Sequence, residues 1–422
     1  MALIAMLVFA TSYILAAPPV VSSVTASQRA GTKIVDIYYN LADADNHPQT
    51  ITVALTSGGA TLPATSLSGD VGANVLPGNN KHIIWDAGTA WPGNYAANVI
   101  ASVTANDGKI NMPTALYVVV DLSGGANASS YPISTLTAVP AGGWTDDYKT
   151  TKLVLRRINK GAFTMGSPSY ELGRYSNEDL HQVTLTQDFY IGVFEVTQRQ
   201  YELVMGAKPS QGFVDDMRPV GNVSYNMIRG ASLGSQWPAN NNVDSGSFMG
   251  VLRTKTGLFF DLPTEAQWEY ACRAGTTSAL NSGKELTTSS FDCLNMKEVG
   301  RYYYNSYVYP DGKGGYLTGP TKVGMYLPNL WGLYDMHGNV SEFCLDIYAA
   351  SLSTNAATDP KGAISGNYRI IRGMAESAYS VSMALSSVTT CRSAYRIGFI
   401  RYSDGVSESG GFRVCIGPSA IQ

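Results

Sequence analysis

Five cysteines and four histidines are the residues best suited to nucleophilic, redox or soft-metal chemistry in this chain. They are Cys272, Cys293, Cys344, Cys391 and Cys415, with His47, His82, His181 and His337. No CxxC pair and no HxH or HxxxH pair occurs, so neither a thioredoxin-type site nor a zinc site finds the ligand spacing it needs. An acid-bearing turn, "DMHGNVSE" at 335–342, has the character of a hard-cation loop. Calcium takes oxygen ligands from such a turn, and a glycine lets the backbone close round the ion. The bland reading is a solvated turn with Glu342 in a salt bridge. A third stretch, "RGMAESAYSVSMALSSVTTCRSAYR" at 372–396, begins and ends on arginine and holds no acid/base pair.

The elements that must position these residues fall into blocks. Residues 1–17 are almost wholly apolar and end in small residues before Pro18-Pro19, which reads as a secretory signal peptide with an uncleaved anchor as the alternative. Residues 18–122 alternate like short strands. Val35, Ile37, Tyr39 and Leu41 share a face, as do Ile51, Val53 and Leu55, and the run from Tyr95 through Ala97, Val99 and Ala101 to Val103. Turn clusters separate them, so an all-β immunoglobulin- or fibronectin-like sandwich is expected. His47 and His82 sit in or beside turns and read as surface residues. Residues 123–150 are rich in Gly, Ser, Ala and Pro and read as a linker, or as an arm laid along the next domain. From 151 to 417 short strands, isolated helices and long loops point to an irregular α+β domain. Thr197 with Gln200 and Thr264 with Gln267 form capping boxes, and Asp244 reads as the cap of a helix buried through Phe248, Val251 and Leu252.

The totals exclude some functions. Lys and Arg number 29 against 32 Asp and Glu, a net charge of −3, so no basic field exists to hold nucleic acid. No segment beyond the signal stretch is long and apolar enough to span a membrane. A secreted, periplasmic or cell-surface location follows from the signal segment, and such a location permits disulfides.

Eight phrases stand in order: "GAFTMGS", "YIGVFEVTQRQY", "RPVGNVSY", "DLPTEAQWEYACRAG", "LPNLWGLYDMHGNVSEF", "YRIIRG", "CRSAYR" and "GFRV". Together they resemble the sulfatase-modifying-factor domain of the formylglycine-generating enzyme, over residues 151–416. The resemblance implies a loop-rich, C-type-lectin-like α+β core. It also implies a calcium loop that takes the Asp335 side chain, the Gly338 and Val340 carbonyls and the Glu342 carboxylate. It brings two phrases together and so implies a Cys344–Cys391 disulfide, two buried thiols being the alternative; Cys272 and Cys415 raise the same question.

The family's enzymes use oxygen to convert a sulfatase cysteine to formylglycine, at a copper(I)-binding cysteine pair that follows an "RGGS" phrase. Two thiolates suit soft copper(I). Here the phrase reads Arg372, Gly373, Met374, Ala375; no cysteine occurs from 373 to 390; and Ser341 stands where an aromatic is usual. Copper is therefore not expected, and no catalytic residue is assigned. Arg372, Arg396 and Arg413 read as frame, with Asp346 one partner. Of positions 374–410 nine are Ser, with Tyr, Ala, Val, Ile and Gly supplying much of the rest. That is either a decayed loop or an adaptable binding face, because Tyr offers contact area at low entropy cost and Ser bonds either way. The composition resembles the variable segment of diversity-generating-retroelement proteins. On that reading Tyr379, Ser380, Met383, Tyr395, Phe399, Ile400, Tyr402 and Asp404 contact a protein or surface ligand. The competing reading is an oxidoreductase of the formylglycine-generating type.

Overall fold

The computed structural model describes residues 19–43, 48–106, 115–289, 292–305, 319–374, 388–400 and 410–417. The chain divides into two compact units, Met1–Met112 and Pro113–Gln422. Residues 1–17, read as a signal segment from the sequence, and His47 lie outside the described residues.

The first unit contains β1 (Val20–Gln28), β2 (Ile34–Ala42), β3 (Gln49–Ser57), β4 (Ala60–Leu62), β5 (Leu67–Gly69), β6 (Gly72–Val75), β7 (Gly78–Asp86) and β8 (Ile100–Asn106). They make two antiparallel sheets. One has the order β1-β2-β7-β5, and the other runs β4-β3-β6 with β8 also on β3. Val35, Ile37, Tyr39 and Leu41 are all buried, as a period of two demands, and meet Ile51, Leu55, Ile83 and Trp85 in one core. This is the β-sandwich. Its last strand starts later than the alternation suggests. Asn98 takes a left-handed φ of 55°, which breaks the extended run, and Tyr95 is 84% exposed. His82 stacks on its cross-strand partner Tyr38, with Nε2 2.8 Å from Asp36.

The second unit begins earlier than the expected boundary. β9 (Tyr117–Asp121) pairs with β10 (Ile133–Leu136) and β11 (Lys152–Ile158), so residues assigned to the sandwich and the linker belong to this unit's main sheet. The reason is legible in "YVVV": four consecutive buried residues suit a strand covered on both faces. The arm from 123 to 132 is tied down by Tyr131 Oη donating to the Leu203 carbonyl and Lys255 Nζ donating to that of Ala126.

The remaining strands are β12 (Gly161–Met165), β13 (His181–Leu185), β14 (Phe189–Gly192), β15 (Phe260–Asp261), β16 (Ser341–Ile347), β17 (Ala357–Thr358), β18 (Tyr368–Arg372), β19 (Ile397–Ile400), β20 (Gly410–Gly411) and β21 (Cys415–Ile416). They form sheets ordered β10-β9-β11-β14-β21-β15, β12-β13-β17 and β19-β18-β16-β20. Thr197 and Thr264 cap the helices Gln198–Met205 and Glu265–Arg273 with full capping boxes. The helix Phe248–Thr256 is capped by Ser247 instead of Asp244. Asp244 lies too far upstream, and its carboxylate closes the preceding loop by accepting from the Ser232 and Leu233 amides. Tyr201 stacks on Phe248 at 5.3 Å, and Phe248 meets Phe412 edge-on at 5.0 Å. Such pairs add about 0.5–1.5 kcal/mol each beyond burial and fasten "GFRV" to two helices.

The Cys344–Cys391 disulfide is not formed, nor is one between Cys272 and Cys415. Cys344 packs with Trp268, Met336, Cys272 and Cys415 in one cluster, whereas Cys391 belongs to another with Leu280, Met296 and Cys293. The sulfurs serve as small apolar fillers.

Candidate functional site

The C-terminal segment 374–410 is held at both ends and in its middle by fully buried arginines. Arg372 closes β18. Its guanidinium donates to Glu265 Oε1 at 2.8 and 3.1 Å, to Glu269 Oε2 at 2.9 Å and to the Ser393 carbonyl at 3.0 Å. Arg396 comes from the other side and donates to both Glu265 oxygens at 2.7 and 2.9 Å. Glu265 therefore sits between two guanidinium groups. Burial alone would raise its pKa, but Arg396 and Arg372 hold it down at about 2.

Arg392 donates to both oxygens of Glu178 at 2.7 and 2.8 Å, to Glu171 and to the Gly173 carbonyl. Arg413 grips Glu342 through two bonds of 2.6 and 2.7 Å and also reaches the Gly192 and Tyr334 carbonyls. These charges are spent inside, which explains how a charge-poor protein carries so many arginines in this region. Asp346, the partner expected for them, instead accepts from the Glu265 amide at 2.6 Å, at the start of the helix Glu265–Arg273. Glu265 and Glu269, the partners that matter, were not singled out from the sequence. The signal available was Glu269 four residues before Arg273, with which it pairs.

The frame requires glycine where the segment begins. Gly373 has φ +61°, and a Cβ there would lie 2.9 Å from the Trp268 ring.

Close by, a cysteine and a histidine approach each other without the chemistry of a nucleophilic pair. His337 Nδ1 donates to the Cys391 carbonyl at 2.7 Å, and Nε2 accepts from the Asn281 amide at 2.9 Å. Cys272 Sγ lies 3.9 Å from that same Nε2. Burial lowers the His337 pKa to about 4 and pushes the Cys272 thiol up to about 12. A neutral imidazole and a neutral thiol make no activated thiolate. Cys391 is 3% exposed, and its thiol donates to the Met374 carbonyl at 3.2 Å.

The acid turn is tightly wound: Asp335, Gly338 and Asn339 have φ of 56°, 87° and 63°. A Cβ on Gly338 would strike the Arg301 carbonyl at 1.8 Å. Asp335 Oδ2 accepts from the Gly324 amide at 2.6 Å, while its Oδ1 is buried without a hydrogen-bond partner. Glu195 accepts from Asn339 Nδ2 at 2.6 Å and from the Val340 amide at 3.0 Å. Burial, then Asp335 and Glu342 nearby, raise the Glu195 pKa well above the ordinary range. Burial pushes Asp335 up as well, to about 6; Arg413 is matched by Glu342, and the orphaned Asp335 Oδ1 is a hard oxygen left open in the turn. An orphaned hard oxygen suits calcium, but both Glu342 oxygens are taken by Arg413, and among the described residues no group of three or more His, Cys, Asp or Glu side chains is placed to hold a metal ion. Glu342 carries a further load, since Trp268 Nε1 donates to it at 2.7 Å beside Arg413.

Of the residues expected to contact a ligand, Tyr379, Ser380, Met383, Tyr402 and Asp404 lie outside the described residues. Phe399 and Ile400 are on β19, paired in register with Arg369 and Tyr368. Tyr395 is a correction: it is 3% exposed and packs edge-on against Tyr175 at 5.1 Å. It sits inside the arginine frame, between Arg392 and Arg396, and so belongs to the support. Among the described residues no helix is long and apolar enough to cross a membrane.

A family model described as sulfatase-modifying factor enzyme 1-like domain matches residues 145–417. The chain is 33% identical over 216 residues to the chaperone protein LppX of Paenibacillus barcinonensis, covering 44% of this chain and 69% of that protein. It is 26% identical over 284 residues to the formylglycine-generating enzyme of Mus musculus, covering 59% and 74% respectively. Among solved structures, Treponema denticola variable protein 1 is similar at 22% identity and a TM-score of 0.46, covering 63% of this chain and 95% of that one.

Proposed function

The chain belongs to the sulfatase-modifying factor family through residues 145–417, and from that premise we propose that it is an exported, non-catalytic binding scaffold. Its binding face is carried by residues 374–410, and its partner is a protein or surface ligand. The observation that carries this reading is the frame. Arg372, Arg392, Arg396 and Arg413 are each fully or almost fully buried, and each holds at least one carboxylate. They pin the chain immediately before, between and after the two stretches 375–387 and 401–409. A fixed frame that carries Tyr- and Ser-rich sequence is what an adaptable contact surface needs.

The chemistry of the thiols supports the same reading. Where the family's oxidases carry a cysteine pair, this sequence has none from 373 to 390. The nearest sulfurs, Cys272 and Cys391, are buried, and Cys272 is held neutral beside a neutral imidazole. Calcium at the acid turn would take the open Asp335 Oδ1 with the Gly338 and Val340 carbonyls, and Glu342 would join only by giving up Arg413. Its role is structural.

The test is tolerance. Tyr379, Ser380, Met383, Tyr402 and Asp404 are randomised together on the unchanged frame, and the library is displayed and selected against one arbitrary protein target. The expected result is folded binders whose thermal midpoints stay within a few degrees of the parent. Clones that fail to fold in the majority of sequences contradict the reading.

A further inference from the structure

A cavity of about 330 Å³ opens on the second unit, and none of the described residues of 374–410 lines it. That volume lies in the range of small-molecule sites. Its apolar lining includes Trp237 and Phe259; its polar lining includes Gln187, Asn241, Gln267 and Lys361, with Asp261 and Asp359. The accounting of the polar groups is one-sided. Asp261 is saturated by Arg229, Arg253 and the Leu262 amide. Asp359 accepts from the Thr186 amide and hydroxyl, one bond to each oxygen.

The amide oxygens are likewise committed, Gln267 Oε1 to the Thr264 amide at 2.9 Å and Asn241 Oδ1 to Arg229 at 3.4 Å. The groups left over are mostly donors. The Gln267 and Asn241 side-chain NH₂ groups have no partner among the described residues, and the exposed Gln187 amide offers one donor and one acceptor group at the rim. Lys361 has no carboxylate there either. Its ammonium lies 5.9 Å from the Trp237 ring, and its own carbonyl accepts from the indole N–H at 3.2 Å, which fixes the two side by side.

We propose that this cavity binds a small organic carboxylate with a flat apolar body. Lys361 Nζ and the amide N–H groups take the carboxylate, and the body lies against Trp237 and Phe259. Donors in excess favour an acceptor-rich group, and three cations, Arg229, Arg253 and Lys361, against two carboxylates, Asp261 and Asp359, leave one positive charge that favours a single negative one. The site is separate from the proposed contact face and does not depend on it.

The experiment uses the full mature chain, with benzoate and indole-3-acetate as carboxylate probes and benzamide as the neutral control. Binding is read by saturation-transfer NMR and calorimetry. At least one carboxylate is expected to bind with a Kd on the order of 0.1–1 mM, and benzamide at least about tenfold more weakly. Lys361→Met weakens the carboxylate about tenfold or more, and Lys361→Arg retains binding within a few-fold. Gln187→Glu, at an exposed rim position where folding is not at stake, repels the carboxylates and leaves benzamide unchanged. Silence of both carboxylates at millimolar concentration, equal binding of benzamide, or indifference to both Lys361→Met and Gln187→Glu would overturn the assignment.

Discussion

Glu265→Gln removes one buried negative charge from between two buried guanidinium groups and leaves the side-chain volume nearly unchanged. Four hydrogen bonds converge on that carboxylate, at 2.7–3.1 Å, two from Arg372 and two from Arg396. Arg372 keeps Glu269 at 2.9 Å after the change. Arg396 keeps no carboxylate, only the Ala349 carbonyl at 2.8 Å and that of Asn177 at 3.5 Å. Breaking a buried pair by removing one partner costs roughly 3–5 kcal/mol. The pKa gives a similar figure: a carboxyl held at about 2 instead of 4.5 corresponds to about 3 kcal/mol in favour of the charged form. For a domain of this size that means a thermal midpoint lower by roughly 10 °C.

The assay is thermal and urea unfolding of the full chain from pH 2 to 8. Because the folded pKa of Glu265 is depressed, its contribution is present above pH 4.5 and is lost as pH falls through about 2. Glu265→Gln should therefore flatten the stability curve in that acidic window as well as lower it at neutrality. Adding Arg396→Met to Glu265→Gln should recover part of the loss, since it removes the stranded charge. A loss below about 1 kcal/mol at neutral pH, with no change in the acidic slope, would refute the clamp as the element that fixes the segment.

Asp346 gives the opposite sign. Burial first, then Glu265, raises its pKa to about 7, so its contribution is full below the ordinary value near 4 and is lost as pH rises through 7. Asp346→Asn keeps an acceptor for the Glu265 amide and should remove that slope between pH 4 and 7 in an unfolding series. Chelation with EGTA should lower the thermal midpoint of the parent by several degrees and leave Asp335→Ala unmoved; equal responses would remove calcium from the acid turn. Thiol titration of the mature chain should find all five cysteines reactive after unfolding without reductant and almost none before; any deficit after unfolding would mean a disulfide.

Much of the frame is legible in the sequence because local rules dictate it. Period-two alternation gives β2 and β3, and capping boxes at Thr197 and Thr264 give two helices, since each rests on contacts within a few residues. Boundaries between units are harder. "YVVVD" fits a sandwich strand by composition, and only its lack of alternation marks it as covered on both faces. Asp244 misleads because Asp caps a helix or closes a turn by the same side-chain-to-amide bond, and only distance to the first helical residue decides which. Tyr395 reads as surface because Tyr is amphipathic; its burial depends on Tyr175, more than two hundred residues away in sequence. The Glu265 clamp and the Lys361 cavity are invisible for the same reason. Each joins residues from elements far apart in the chain, and no spacing in one chain encodes such a meeting.

The most direct test of the scaffold reading is a copper(I) titration of the reduced mature chain, with an aerobic assay for aldehyde on a sulfatase-motif cysteine peptide in the same tube. The account predicts neither tight one-to-one copper binding nor aldehyde, because the thiols nearest the segment are buried and no pair of them stands after Gly373. Stoichiometric copper binding together with aldehyde formation would contradict it and return this chain to the oxidases of its family.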